Sequence, residues 1–115
     1  MFRGMHIQQP PFQQTKLIRV IKGEIIDFLV NPNSTDKVIH WQKFDNSSDW
    51  ILIDSNFAHG FYAITDVIFE YICDGKYNEE SEQAFSITDF LKSTFGIAEP
   101  ILSKKDSDAP PVTQK

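Results

Sequence analysis

The sequence predicts a single all-β domain, either a barrel or a sandwich. Two observations favour this fold class: short apolar runs rich in β-branched residues alternate with turn residues, and ten of the 115 residues are Phe. A hydrophobic fraction of 41% is enough for one core, and a chain of this length is too short for two.

The first half of the chain reads as a loop followed by strands. Residues 8–14, QQPPFQQ, contain two prolines and four glutamines, a composition that forms neither a strand nor a helix well. The runs KLIRVI and EIIDFLV are separated by Lys22 and Gly23, a pattern that predicts a tight β-hairpin. Further strands are expected at residues 38–44, 50–53, 61–64 and 67–73, and an acidic surface loop is expected at 74–83.

The segment from Ser86 to Phe95 is the exception, because its apolar residues recur at helical spacing. Ser86 and Asp89 stand at the spacing of a capping box, and Gly96 is placed to end the helix. The sequence therefore predicts one barrel domain over residues 1–103, with a single short helix near the C-terminus. A polar, proline-containing segment over residues 104–115 follows it.

Charge, cysteine content and hydropathy exclude several classes of protein. Eleven basic and 16 acidic residues give a net charge of −5, which argues against a nucleic-acid binder. The single cysteine, Cys73, can form neither an intrachain disulfide nor a thiolate metal cage. No stretch approaches the roughly 18 apolar residues of a membrane helix, and the first residues lack the apolar run of a signal peptide. We therefore expect a cytoplasmic protein without a membrane partner.

The three histidines are the first candidates for chemistry. His40 lies within a predicted strand, where a half-exposed structural role is the simplest interpretation. His6 and His59, taken alone, could be structural residues, catalytic residues or metal ligands. The β-barrel metalloproteins most comparable to this chain use a His-x-His pair, and Gln8 stands where the second histidine would be. We therefore expect no metal ion.

Five short motifs occur in order along the chain: RGMHIQ at 3–8, KLIRVIKGE at 16–24, FAHGF at 57–61, Tyr71, and ILSKKD at 101–106. Together they resemble the dTDP-4-dehydrorhamnose 3,5-epimerase family. The resemblance implies a double-stranded β-helix, also called a cupin or jelly-roll barrel, that assembles as a homodimer. The first motif stands almost at the start of this chain, so we expect an N-terminally short member of the family.

The resemblance also implies a reaction and a substrate. The substrate would be a dTDP-linked 4-keto-6-deoxy sugar, inverted at C3, C5 or both through enolate intermediates, without a metal or a redox cofactor. A C–H bond beside a ketone is a weak acid, so the reaction requires a placed base and a group that stabilises the developing oxyanion. Inversion then requires a proton donor on the opposite face of the ring.

The family pattern assigns catalytic roles to five residues of this sequence. His6 matches the general base, and Asp106 matches the carboxylate that orients its imidazole. Tyr71 matches the acid, which suits a phenol because it keeps its proton at neutral pH and can still donate it. Lys16 and His59 match the residues near the C4 oxygen, where a cation or hydrogen-bond donor would stabilise an enolate.

Four further residues are expected to bind the substrate. Arg3 matches a ligand of the pyrophosphate, a task that suits the bidentate geometry of a guanidinium group. Gln8 and Arg19 are expected to line the same mouth of the barrel. Tyr77 matches an aromatic residue that stacks on the thymine ring.

Two alternative functions remain open from the sequence. A 3,4-ketoisomerase acting on the same substrate class is one, although that group resembles Arg-Gly-x-His-Ala-His and Gln8 departs from this pattern. A non-catalytic carbohydrate-binding cupin is the other. A binding protein would not need a base, a carboxylate that orients it and an acid, so His6, Asp106 and Tyr71 favour the epimerase.

Overall fold

The computed structural model describes residues 1–112, which form two β-sheets and two short helices. The strands are β1 (Phe2–Gln8), β2 (Thr15–Lys22), β3 (Glu24–Val30), β4 (His40–Asp45), β5 (Ile51–Ile53), β6 (Ala58–Ala63), β7 (Ile68–Asp74) and β8 (Glu82–Ala84). The helices are α1 (Thr88–Phe95) and α2 (Lys104–Ser107). The large sheet has the strand order β4-β3-β6-β1-β8, and the small sheet has the order β5-β2-β7. The prediction of an all-β fold with a short helix near the C-terminus is confirmed.

The predicted hairpin between β2 and β3 is wrong. β2 pairs with β5 and β7 in the small sheet, whereas β3 pairs with β4 and β6 in the large sheet. The chain crosses between the sheets at Gly23, which has a φ of 92° and no room for a side chain, because a Cβ would lie 2.2 Å from the carbonyl oxygen of Asp66. Two apolar runs around a glycine therefore identify a sharp turn, but not the partner of either strand.

The hydrophobic core lies on the outer face of the large sheet, under α1. Alternate residues of β3, Ile26, Phe28 and Val30, point into this core, where they meet Leu91 of α1. The Phe28 ring makes an edge contact with the ring of Phe2 at a centroid distance of 5.9 Å. The intervening residues of β3 face the small sheet. The core and the space between the two sheets therefore lie on opposite faces of the large sheet.

Helix α1 begins two residues later than predicted, and the predicted capping box is absent. The residue before the helix is Ile87, which has no capping side chain, and the Ser86 hydroxyl accepts a hydrogen bond from the Thr88 amide instead. The predicted end is confirmed, because Gly96 has a φ of 70° and its N–H bonds to carbonyl groups of the last turn.

A one-residue bulge in β1 decides which side chains face the small sheet. Arg3 pairs with Phe61 and His6 pairs with His59, so three steps along β1 match two steps along β6. In a regular strand Arg3 and His6 would point to opposite faces, and the bulge brings both to the same face. Gly4 makes this possible, since its φ is 124° and a Cβ there would lie 2.5 Å from Cα of Gly60.

The other strand predictions were correct in outline, and α2 lies within the polar segment predicted over residues 104–115. The four further strands occur as β4 to β7 with shifted ends, and residues 9–14 form a loop. Strand β1 was not predicted, and the predicted loop at 74–83 ends in β8, which pairs with β1. Residues 113–115, the end of the predicted polar segment, lie outside the described residues. Neither helix of the described chain is long and apolar enough to cross a membrane.

Candidate active site

A cavity of about 530 Å³ lies between the two sheets, within the range of about 300–1,000 Å³ typical of small-molecule sites. One wall comes from β1 and β6 and carries Arg3, His6, His59 and Phe61. The other comes from β2 and β7 and carries Lys16, Ile18, Phe69, Tyr71 and Cys73. The structure therefore brings together six residues predicted from the sequence: Arg3, His6, Lys16, His59, Tyr71 and Tyr77.

The His6 imidazole is held by Asp106. Nε2 of His6 lies 2.6 Å from Oδ1 of Asp106, and the other carboxylate oxygen accepts a hydrogen bond from the Gly4 amide at 3.2 Å. The Asp106 side chain is 2% exposed, whereas that of His6 is 30% exposed. Because Nε2–H donates to the carboxylate, Nδ1 is the nitrogen that can accept a proton in the cavity.

Asp106 reaches this position from the short helix α2. The Ser103 side chain caps the helix by accepting a hydrogen bond from the Asp106 amide at 3.2 Å. The pairing of Asp106 with His6, expected from the family pattern, is thus present across a sequence separation of 100 residues.

A second histidine–aspartate pair lies beside the first, and the sequence analysis missed its carboxylate. Nε2 of His59 is 2.6 Å from Oδ1 of Asp27, and the two side chains are 10% and 5% exposed. His59 and His6 are neighbours across β1 and β6, so the two imidazoles line one wall. Asp27 could have been found as the one charged residue inside the apolar run IIDFLV, since buried carboxylates are seldom unpaired.

Lys16 supplies positive charge on the facing wall. Burial lowers the pKa of the Lys16 ammonium, and attraction to Cys73 and Asp27 offsets part of that shift. Cys73 is the register partner of Lys16 across β2 and β7, so its sulfur also faces the cavity. An ammonium in this environment interacts strongly with negative charge that develops nearby.

Tyr71 and Tyr77 line the open side of the cavity. Tyr71 is 63% exposed and Tyr77 is 59% exposed, so both phenols remain accessible to a ligand that enters between the sheets. The Arg3 side chain lies on the facing wall, where its Nε contacts the sulfur of Met1 at 3.4 Å.

Two predicted substrate-binding residues do not line this cavity. Arg19 lies on the opposite face of β2, where it forms an ion pair with Glu70 and stacks on the Trp50 ring at 4.7 Å. Lys16 and Ile18 of β2 face the cavity, and successive side chains of a strand point to opposite faces. Arg19 therefore points away from the cavity. Gln8 is 6% exposed, and its amide is bonded to protein backbone. The structure thus corrects the expected positions of Arg19 and Gln8.

Glu82 is a further lining residue that the sequence analysis missed. It begins β8, opposite Gln8 of β1, and forms an ion pair with Lys105 of α2. The acidic composition around it predicted only a solvated loop, so no sequence signal distinguished this glutamate from its neighbours. Among residues 1–112, no group of three His, Cys, Asp or Glu side chains is arranged to hold a metal ion.

Two antiparallel sheets that enclose imidazole, phenol and ammonium groups define a jelly-roll protein equipped for acid–base chemistry. The family model described as dTDP-4-dehydrorhamnose 3,5-epimerase matches residues 1–114. The chain belongs to this family. The predicted cupin-type jelly-roll fold is confirmed by the solved structures that resemble it.

Three relatives illustrate the similarity. A curated dTDP-4-dehydrorhamnose 3,5-epimerase from Methanothermobacter thermautotrophicus is 32% identical over 97% of this chain and 65% of its own length. The Bacillus anthracis epimerase, solved with TDP and PPi bound, has a TM-score of 0.85 and 30% identity over 96% of this chain and 67% of that chain. The Legionella pneumophila epimerase, solved with dTDP-4-keto-L-rhamnose, has a TM-score of 0.80 and 28% identity over 96% of this chain and 62% of that chain. This chain spans about three fifths of the length of the curated relatives it matches.

The lowered pKa of Lys16 predicts how its side chain titrates. The ammonium should lose its proton below the pH of a free lysine, about 10.4, because burial disfavours its charged form. An NMR titration of the Lys16 side chain over pH 7–11 would measure this. A Lys16 side chain that titrates at or above the value of a free lysine would contradict the burial of its ammonium.

Proposed function

We propose that this protein is an epimerase that inverts C3, C5 or both centres of a dTDP-linked 4-keto-6-deoxy sugar. One observation carries the proposal: His6, held by Asp106, lies on one wall of the cavity, and Tyr71 lies on the other. Family membership and the nucleotide-bound relatives support the same reading. Such chemistry requires a base and an acid that reach the sugar ring from different sides.

The first step is removal of a proton beside the ketone. The C–H bond breaks, its proton moves to Nδ1 of His6, and its electron pair forms the enolate. Asp106 holds the imidazole with its unprotonated nitrogen toward the cavity. The Lys16 ammonium stabilises the charge on the ketone oxygen. His59 contributes as an imidazolium, because its Nε2–H is used by Asp27 and only a protonated Nδ1 can then donate to that oxygen.

The second step returns a proton to the opposite face of the ring. The Tyr71 hydroxyl donates it, which forms a new C–H bond and inverts the centre. Solvent then restores the proton to the phenolate and removes one from the imidazole, so the enzyme returns to its starting state. The phenol and the imidazole come from different sheets, and this separation suits attack on two faces of one ring.

The nucleotide portion of the substrate is bound at the open side of the cavity. Arg3 contacts the pyrophosphate, and Tyr77 stacks on the thymine ring. Arg3 lies within the cavity wall and Tyr77 is exposed at the same opening, as this assignment requires. Sugar-nucleotide chemistry takes place in the cytoplasm, where the proposal also locates the protein.

Solvent deuterium exchange tests the proposed steps separately. In D2O, the wild type should incorporate deuterium at C3, C5 or both positions of a dTDP-linked 4-keto-6-deoxyhexose. His6→Ala should lower the rate of incorporation by about 10²–10⁴-fold, the usual contribution of a general base. Tyr71→Phe should reduce net inversion more than exchange, because the first proton transfer does not need the phenol. Mass spectrometry and NMR of the recovered sugar would measure both.

Two controls keep the exchange experiment interpretable. His6→Ala leaves the buried Asp106 carboxylate without its imidazole donor, at a cost of about 1–3 kcal/mol or more, and His6→Gln retains an N–H donor at about the reach of Nε2. His40→Ala removes an exposed histidine on β4 and should exchange at the wild-type rate. Undiminished exchange in both His6 variants would contradict the base assignment. Binding without exchange would indicate a carbohydrate-binding cupin, and carbonyl migration to C3 would indicate a ketoisomerase.

We also propose that the protein forms a homodimer through the outer face of the small sheet. Leu17 pairs with Leu52 on one side and Ile72 on the other, which forms an apolar row across all three strands. Leu52 is 69% exposed and Ile72 is 59% exposed. A contiguous row of large apolar side chains in contact with water is unfavourable and is typical of an interaction surface.

A second copy of this chain matches the charge pattern of the same face. Arg19 and Glu70 lie side by side in the row next to Leu17. A two-fold axis running between them, in the plane of the face, would place Arg19 of each copy against Glu70 of the other. Such a face is complementary to itself, which is the requirement for a symmetric dimer.

The dimer proposal predicts the effect of a single charge on this face. Wild-type protein should have twice the mass of one chain by light scattering, and Leu52→Lys should have the mass of one chain because its ammonium cannot be buried there. Ile101→Lys is the matched control, since Ile101 is equally exposed at 69% but lies outside this face. A monomeric wild type, or a dimeric Leu52→Lys variant, would contradict the proposed interface.

A further inference from the structure

The buried side chain of Gln8 is bonded on both sides of Tyr77. Nε2 of Gln8 donates to the carbonyl oxygen of Lys76 at 3.1 Å, and Oε1 accepts from the amide of Asn78 at 3.0 Å. The second hydrogen of the same amide group donates to the carbonyl oxygen of Phe12 at 2.6 Å. A carboxamide has two donor hydrogens and one acceptor oxygen, so one side chain satisfies all three backbone groups at once.

These bonds fix a segment that has no regular secondary structure. Tyr77 lies after β7 and before the 3₁₀ turn at Glu79–Ser81. Its ring is 59% exposed, so the position of the ring follows from the backbone on either side of it. Gln8 is itself rigid, because it lies in β1 opposite Glu82 and is 6% exposed.

We propose that Gln8 is a positioning residue that holds Tyr77 at the cavity mouth for stacking on the nucleobase. The inference rests on the proposed function, and it replaces the expected direct contact between Gln8 and substrate. Gln8 acts on ligand binding through Tyr77 and takes no part in proton transfer. A preset aromatic ring loses less conformational freedom when a base stacks on it, which raises affinity.

A double-mutant cycle with dTDP tests this role. Gln8→Met keeps the length of the side chain and removes its hydrogen bonds. It should weaken dTDP binding by about five- to a hundredfold, the range that loss of one base–aromatic stack gives. In a Tyr77→Ala background the same change should have little further effect on dTDP affinity. Turnover at saturating substrate should stay within about threefold of wild type, so KM should change rather than kcat.

Two further variants separate positioning from general stability. Gln9→Met is the matched control: Gln9 is the neighbouring glutamine, but its side chain bonds to Gln83 rather than to the Tyr77 segment, so dTDP affinity should be unchanged. Gln8→Asn keeps a carboxamide, with its donors and acceptor, on a side chain that is one methylene too short to reach all three partners. It serves if the methionine variant folds poorly. It should lose a smaller share of affinity than Gln8→Met.

The outcomes distinguish this inference from the proposed function. Equal loss of dTDP affinity on Gln8→Met with and without Tyr77 would overturn the positioning role, and so would unchanged affinity in Gln8→Met. If folded wild-type protein bound no dTDP, the proposed function would fail. Hydrogen exchange of the Asn78 amide would then test the positioning role of Gln8. Faster exchange at Asn78 in Gln8→Met, with unchanged exchange in β2, supports this role, and unchanged exchange at Asn78 overturns it.

Discussion

The hydrogen bonds of the Asp106 carboxylate join the C-terminal part of the described chain to its first strand. One oxygen binds Nε2 of His6 and the other accepts the Gly4 amide, so a single buried charge orients the imidazole and fixes the bulge that carries it. The carboxylate is 2% exposed, and a buried charge is tolerated only when its hydrogen bonds are satisfied. The rest of the site is arranged around the ring that Asp106 holds.

The division of each strand into two faces explains how a small domain has both a core and a cavity. On β3, Phe28 packs under α1, while Asp27 faces the small sheet and holds His59. The bulge in β1 adds one exception to this alternation, and the exception places Arg3 beside His6. Both histidines thus come from the large sheet, and the lysine and the phenol come from the small sheet, which gives the cavity two chemically different walls.

Local pattern predicted β2 to β7 and the end of α1, because a turn residue such as Gly96 acts through its own backbone. It missed β1 and β8. Local pattern wrongly paired β2 with β3, because strand pairing depends on strands that are distant in the sequence. Gly23 permits the sharp turn between the two sheets but does not select the partner of either strand. The family motifs placed His6, Lys16 and Tyr71 in one cavity. They did not locate Arg19, whose side of β2 follows from the register. The role of Gln8 also required coordinates, because its partners are backbone groups far along the chain.

We infer that Asp106 fixes the tautomer of His6, so that Nδ1 faces the cavity without a proton. The ¹⁵N chemical shifts of the His6 ring, measured while the imidazole is neutral, distinguish the two tautomers. We expect a protonated Nε2 and an unprotonated Nδ1, and loss of this preference in Asp106→Ala. A neutral ring with its proton on Nδ1, or a tautomer unaffected by removal of Asp106, would contradict it.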